Sequence, residues 1–375
     1  MKILRVSPSY YPAFKLGGPI LADYIIDKCL LDLDNNVHVI TTKAGIESNV
    51  NYLKNVSYFR YSFGTNFSFS LRMFMSIITN IPKNDLVFVT GVWNFSSIVT
   101  PFICKLFNIP YIYIPHGSLY RDKINKKKTF IKTFIFEVFI KFILKNAKII
   151  QIATFDERKG LEEIYGRGIE ELDFIRLPIP VDIGSIDSDE YICSGNKKIK
   201  LLFVGRINYI KGLDILIRAF SEVRKKVDNI ELHLVGYDDC YIEELRNISN
   251  FEHNDIIYHG GFKHNELKKF YEMADVFIMP SYSENYSMVV AEAAFFGKAL
   301  LLSKKVGISE FFLHDKSAII FEPTVDDCFD AIVNIINNPS LIRNLGENAK
   351  MIANKEFTID KSKTLIANLI DKVGL

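Results

Sequence analysis

Leu201-Leu202-Phe203-Val204-Gly205-Arg206-Ile207-Asn208-Tyr209-Ile210-Lys211-Gly212-Leu213-Asp214-Ile215-Leu216-Ile217 decides the architecture. Its first four residues are apolar and β-prone. The next eight hold two glycines and two cations, and from Lys211 to Lys226 the residues Leu213, Leu216, Ile217 and Phe220 recur at helical spacing. A strand that passes through a glycine-bounded loop into a helix is half of a βαβ unit, and the pattern recurs in both directions along the chain. Strands are expected at 3–6, 37–41, 86–90, 111–114, 148–152 and 174–177, and again at 200–204, 231–235, 256–259, 276–279 and 299–303. Such alternation predicts α/β lobes built on parallel sheets. The expected division is a Rossmann-like lobe over 1–182, a polar Gly/Ser-containing linker over 183–198 and a second Rossmann-like lobe over 199–357, with a terminal helix at 358–375 docking back on the first lobe.

Composition narrows the classes. With 49% hydrophobic and 24% charged residues, a 375-residue chain can bury a sizeable core, which excludes disorder as the starting assumption. The first eight residues lack the apolar run of a secretory signal and no run of about 18 uncharged apolar residues occurs, so a cytoplasmic protein is expected. Five widely spaced cysteines, with no pair at metal-ligand spacing, imply reduced and mostly buried thiols. Charge is uneven. Residues 1–182 hold 23 Lys and Arg against 16 Asp and Glu, and residues 183–375 hold 23 against 28. The first half is the one suited to meeting anions.

In open α/β sheets ligands bind beyond the carboxyl ends of strands, so residues that directly follow strands are the candidates. Arg206 and Lys211 put two cations beside a helix N-terminus, an arrangement suited to a diphosphate; either one alone reads as an exposed surface cation. After the strand at 276–279 comes Pro280-Ser281-Tyr282-Ser283-Glu284-Asn285-Tyr286-Ser287, then an apolar helix carrying Glu292. A carboxylate accepts hydrogen bonds from two neighbouring hydroxyls, as on a ribose or hexose, and the amides of 285–287 suit a sugar or phosphate. Glu292 lies among Met288, Val289, Val290, Ala293 and Ala294, where a bare carboxylate is too costly and a partner is required. Asp238-Asp239 reads as a solvated turn in preference to a metal-binding pair. Thr154 and Glu157 have the spacing of a capping box.

Gly205-Arg206 through Asp214, followed about 70 residues later by Pro280 to Ala293, resembles the donor-site signature of glycosyltransferase family 4, retaining enzymes of the GT-B fold. Gly17-Gly18-Pro19 is similar to that family's glycine-rich loop, and Pro115-His116-Gly117 resembles its active-site Pro-His-Gly. The resemblance implies two lobes facing each other across a cleft and transfer from a nucleotide-sugar donor without a metal or other cofactor. It also implies that Arg206 and Lys211 neutralise the departing diphosphate, Glu292 holds the ribose and Glu284 the sugar, His116 lies by the reacting sugar, and Gly17 and Gly18 let backbone approach phosphate or acceptor. The chain departs from the pattern in having Asn285-Tyr286-Ser287 where many members have Gly-Phe-Gly; Asn285 is the residue there that best tolerates unusual backbone angles. Lys316-Ser317-Ala318 likewise replaces an expected glycine, and Glu310 is left a supporting role.

Residues 121–148 carry nine Lys and Arg against two acids, interleaved with phenylalanine and isoleucine. Such a segment lies in a membrane interface, or else turns one face to the core between solvated edges. Read with the positive first lobe, it suggests a glycan acceptor linked to a lipid diphosphate, in bacterial surface-polysaccharide synthesis at the inner face of the membrane. Nucleic acid is discounted, because no recognised binding signature accompanies the basic stretch. A sugar-nucleotide epimerase on the same fold, or a non-catalytic binding module, are the competing functions.

Overall fold

A computed structural model describes residues 1–13, 17–46, 52–62, 67–120, 129–182, 198–248, 255–314 and 316–374. Two units emerge, one formed by Met1–Asp182 with Ile359–Leu375 and the other by Ile183–Thr358. The expected linker lies, but for its last residue, outside the described residues.

The first unit has a sheet of β1 (Lys2–Val6), β2 (Asn36–Thr42), β3 (Val56–Phe59), β4 (Leu86–Thr90), β5 (Tyr111–Ile114), β6 (Ile149–Ile152) and β7 (Phe174–Arg176). The strands are parallel throughout and ordered β3-β2-β1-β4-β5-β6-β7. Helices α1 (Gly18–Asp32), α2 (Leu71–Asn80), α3 (Phe95–Leu106), α4 (Thr129–Ile135), α5 (Lys141–Asn146) and α6 (Phe155–Tyr165) connect them, with a π-helical turn Phe136–Ile140 between α4 and α5. Strands β4 and β5 are buried along their whole length, which explains their continuous apolar sequence.

The second unit repeats the design. Strands β8 (Ile199–Val204), β9 (Ile230–Val235), β10 (Ile256–Tyr258), β11 (Val276–Met279), β12 (Ala299–Ser303) and β13 (Ile319–Phe321) run parallel in the order β10-β9-β8-β11-β12-β13. They alternate with α7 (Leu213–Arg224), α8 (Ile242–Arg246), α9 (Lys268–Met273), α10 (Met288–Phe295), α11 (Val325–Asn337) and α12 (Pro339–Glu356). The last helix, α13 (Ile359–Val373), belongs to the first unit: it packs on α1, burying Ile366 and Leu369, and Lys363 pairs with Asp32 at 2.8 Å.

In each sheet the first strand lies beside the fourth, so the chain leaves that pair of strands in opposite directions. The crevice at the carboxyl ends of β1 and β4, and of β8 and β11, is a topological switch point where α/β sheets hold ligands.

Two strands escaped the sequence pattern, β3 and β13. Both are short edge strands that stay largely half-exposed, as are β7 and β10, which the sequence pattern did show. The capping box at Thr154 is half formed. Thr154 accepts from the Glu157 amide at 3.1 Å, but the Glu157 carboxylate turns to the amides of Ala153 and Gly117 instead of closing on Thr154.

The 132–148 part of the basic segment lays much of its apolar side on the core. Phe136, Ile140, Ile143 and Leu144 are buried against β4 and β5 side chains, and Phe142 stacks on Phe102 with centroids 4.9 Å apart. Phe134 and Val138 stay 57% and 48% exposed, beside a Glu137–Lys141 pair at 2.8 Å. Residues 121–128 lie outside the described residues. Among the described residues no helix is long and apolar enough to cross a membrane. Cys29, Cys104 and Cys328 are buried free thiols and Cys240 is an exposed one, while Cys193 is outside the described residues.

Candidate functional site

At the β8/β11 switch point four loops are knitted by backbone hydrogen bonds. Ile207 donates to Tyr237 and Asp239 to Ile207, joining the loops after β8 and β9; Tyr282 donates to Ile210 at 2.9 Å, joining those after β8 and β11. Glu284 donates to Lys305 and Gly307 to the Glu284 carbonyl, joining the loops after β11 and β12. Side chains carried here stand on a fixed backbone. The join between β8 and β11 requires a glycine at 212: its φ is +67°, and a Cβ there would lie 2.3 Å from the Pro280 carbonyl oxygen.

Lys211 occupies a 3-10 turn, Tyr209–Lys211, ahead of α7, not the helix itself, and Gly212 is the helix N-cap. Its ammonium pairs with the Glu284 carboxylate across the switch point. Arg206 is exposed and 3.6 Å from Asp239. Asp239 therefore works with Arg206, while Asp238 accepts from the amides of Tyr241 and Ile242 at 2.9 and 3.0 Å and opens α8, which makes this acidic pair a structural turn. Glu292, on α10, is buried and finds the partners its setting demands. Tyr271 donates to one oxygen at 2.6 Å, and His264 lies 3.0 Å from the other. Burial, and then the Glu292 charge, push the Tyr271 hydroxyl well above its usual range, so it remains a donor. Tyr282 donates to Asp214 at 2.8 Å and stacks on Tyr209.

The departing loop resolves differently from the sequence expectation. Asn285 keeps negative φ; Ser287 takes the left-handed conformation, at φ 73°, as N-cap of α10. Its buried hydroxyl has no hydrogen-bond partner among the described residues. The Tyr286 ring is buried with its edge toward Phe357, so backbone is what this residue can offer a ligand. Lys316, where a glycine was expected, also has φ 48°, and Glu310 sits half-buried in the turn Gly307–Phe312.

In the first unit, Gly17 caps α1 with φ 94° and open space around it, so the requirement there is conformational. Gly18 is exposed at the first position of the helix. His116, directly after β5, is held at φ 46°, a strained angle for a residue with a side chain. Its Nε2 lies 3.0 Å from Asp23 Oδ1, and the same oxygen takes Arg5 Nη1 at 3.1 Å. Arg5 is wholly buried; it also engages Asp27 at 2.7–2.8 Å and Thr90 at 3.1 Å, and Tyr10 donates to Asp27 at 2.8 Å. Burial works to raise the Asp23 carboxyl, yet Arg5 and then His116 outweigh it and hold it below the ordinary carboxylate range. This network was invisible in the sequence, because its members come from β1, α1, β4 and the end of β5.

The two units thus each present polar side chains at a switch point, cations and carboxylates in the second and a carboxylate–imidazole pair in the first. Residues 192–351 match the family model described as glycosyl transferases group 1. The lipopolysaccharide 1,2-N-acetylglucosaminetransferase of Salmonella typhimurium is 36% identical over 151 residues, 36% of this chain and 38% of that one. An uncharacterized glycosyltransferase of Methanocaldococcus jannaschii is 26% identical over 67% of this chain and 65% of its own. The chain therefore spans between about two fifths and two thirds of the length of these relatives. The structure of Anabaena HepE in complex with UDP and glucose superposes with a TM-score of 0.74 at 18% identity, covering 99% of each chain. That likeness carries the fold: two Rossmann-like lobes, of the GT-B class.

Proposed function

We propose that this chain is a retaining glycosyltransferase that moves a sugar from a nucleotide-sugar donor to a glycan acceptor in cell-surface polysaccharide synthesis. The observation that carries the proposal is the grouping at the β8/β11 switch point, with Lys211 on Glu284, Arg206 nearby and Glu292 held by Tyr271 and His264. In this reading Arg206 and Lys211 take the diphosphate. An ammonium has three N–H donors, so Lys211 can keep Glu284 while it receives a phosphate oxygen. Glu292 takes the ribose hydroxyls with its remaining lone pairs, Glu284 the transferred sugar, and the 285–287 backbone lies alongside. As the sugar C1–O bond breaks, the electron pair goes to the diphosphate, and fixed cations lower the barrier by meeting charge as it develops. The acceptor hydroxyl forms the new C1–O bond on the same face, and its proton passes to the leaving diphosphate.

The match to the group 1 model and the lipopolysaccharide transferase among the relatives support this reading. A lipid-linked acceptor at the membrane surface fits the positive first lobe and the exposed Phe134 and Val138. The test is a thermal-shift screen over UDP-, GDP- and other nucleotide sugars, followed by transfer assays in EDTA with the donor so found. A donor that stabilises by mass action and transfer undiminished in EDTA are expected. Epimerised donor in the absence of any acceptor would sink the transferase reading, and a strict metal requirement would remove the metal-independent mechanism.

A further inference from the structure

Two side chains hold the buried Glu292 carboxylate, and they differ in how firmly each is placed. Tyr271, on α9, is 1% exposed; its ring stacks on Phe296 with centroids 5.1 Å apart and meets Phe277 beyond, and its hydroxyl donates to Oε2 at 2.6 Å. This inner partner is fixed by packing. His264 holds the other oxygen from the solvent side: its side chain is 41% exposed where that of Glu292 is 6% exposed, and its Nε2 lies 3.0 Å from Oε1. A carboxylate oxygen only accepts, so Nε2 carries a proton and donates. The backbone beneath is pinned, because the turn His264–Glu266 is closed by the Glu266 carboxylate on the Lys263 amide at 2.8 Å, and Phe262 packs on Phe270 of α9. The part of His264 that can move is its side chain, by a change of rotamer into the solvent it already touches.

We infer that His264 is a positioning residue that competes with the donor ribose for Glu292 Oε1, so that nucleotide binds by displacing the imidazole and binds less tightly once the imidazole is charged. The inference rests on the transferase reading and adds a control on its donor site. Glu292 has lone pairs to spare for a ribose, but it is nearly covered, and a hydroxyl reaches Oε1 where the imidazole now stands. With a neutral imidazole the exchange swaps one neutral donor for another and is close to balanced. With an imidazolium it breaks a charge-assisted bond, about twice as strong, so the exchange becomes unfavourable. Imidazole changes charge between about pH 5 and pH 8, and nucleotide affinity therefore falls as pH falls through that range. The other charges on the elements that meet here are turned elsewhere. Lys268 pairs with Glu272 at 3.4 Å, Lys269 lies over the Phe262 and Phe270 rings, and Lys298 reaches the Glu272 carbonyl at 3.4 Å. Tyr271 remains a donor, held above its usual range by burial and then by the Glu292 charge.

The full-length chain is titrated calorimetrically with UDP, GDP and ADP between about pH 5.5 and pH 8.5. Each variant is compared with the wild type at the same pH, so that titration of the nucleotide's own phosphate cancels. For the nucleotide that binds, His264→Ala should bind about fivefold tighter at the acid end and within about twofold of the wild type at the alkaline end. His264→Gln, whose amide keeps an N–H donor and never charges, should stay near the alkaline wild-type affinity throughout. In a Glu292→Gln background, His264→Ala should change affinity by less than about twofold at any pH, because the imidazolium then has no carboxylate to hold. Weaker binding to His264→Ala at every pH would mean that the imidazole holds the nucleotide, and an unchanged pH profile would mean that it does not control binding; either result overturns the inference while the donor reading stands. Binding unaltered by Glu292→Gln, or no binding of any of the three nucleotides, sinks the ribose assignment and the inference with it.

Discussion

Glu292 and Ser287 are the residues whose cost is plainest. A carboxylate buried in an apolar helix persists because Tyr271 and His264 meet its oxygens. Removing the phenol hydroxyl in Tyr271→Phe leaves one oxygen short of a partner. A loss of about 1.5–3 kcal/mol in urea unfolding is expected, together with weaker donor binding. Ser287 holds a left-handed angle without a local hydrogen bond to repay it. Ser287→Gly should therefore raise stability by about 1 kcal/mol, read from the same unfolding curves. For function, Glu292→Ala should mainly weaken nucleotide binding and Glu284→Ala mainly lower turnover and sugar discrimination. Wild-type affinity and rate in both variants would refute the assignment.

At the scale of elements, β9 and the end of β10 set His233 and His259 side by side, with rings stacked and nitrogens 2.9 Å apart. Burial, with His259 adding to it, lowers His233 from its ordinary value of 6.5. Burial and then Lys269 lower His259 likewise. A histidine with a depressed folded value binds its proton more readily when unfolded. Its contribution to stability is present above the ordinary value and is lost as pH falls through the folded one. Calorimetry between about pH 7 and pH 5 should show the second unit's melting point falling, and His233→Gln should flatten that fall. The same elements show what spacing can reveal. Strands β4, β5, β11 and β12 were read to the residue because they are buried along their length and continuously apolar. Of the half-exposed edge strands, β7 and β10 were read to within a residue while β3 and β13 were missed, since pairing with one neighbour only puts a weaker demand on sequence.

On the scale of the whole chain, α13 returns to the unit that the N-terminus began. Ending the chain at Thr358 uncovers α1 and forfeits buried Ile366, Leu369 and Val373, each worth roughly 1.5–3 kcal/mol. Calorimetry of this truncated chain should show a lowered transition for the first unit and an unchanged one for the second. A second-unit transition that also moved would mean that the two do not unfold separately.

The sequence by itself determined the two-lobed α/β plan and made Arg206, Lys211, Glu284 and Glu292 candidates, because strand-end placement and apolar periodicity are local properties of the chain. It also required a partner for Glu292, on the energetic ground that a buried charge does not stand alone. Which groups supply that partner was decided only by the tertiary structure, since Tyr271 and His264 lie 21 and 28 residues from Glu292. Contacts of that range carry no periodic signature. The same holds for Arg5, whose burial between two carboxylates follows from the packing of α1 on β1, and for the left-handed turn, which settled on Ser287 because α10 begins there.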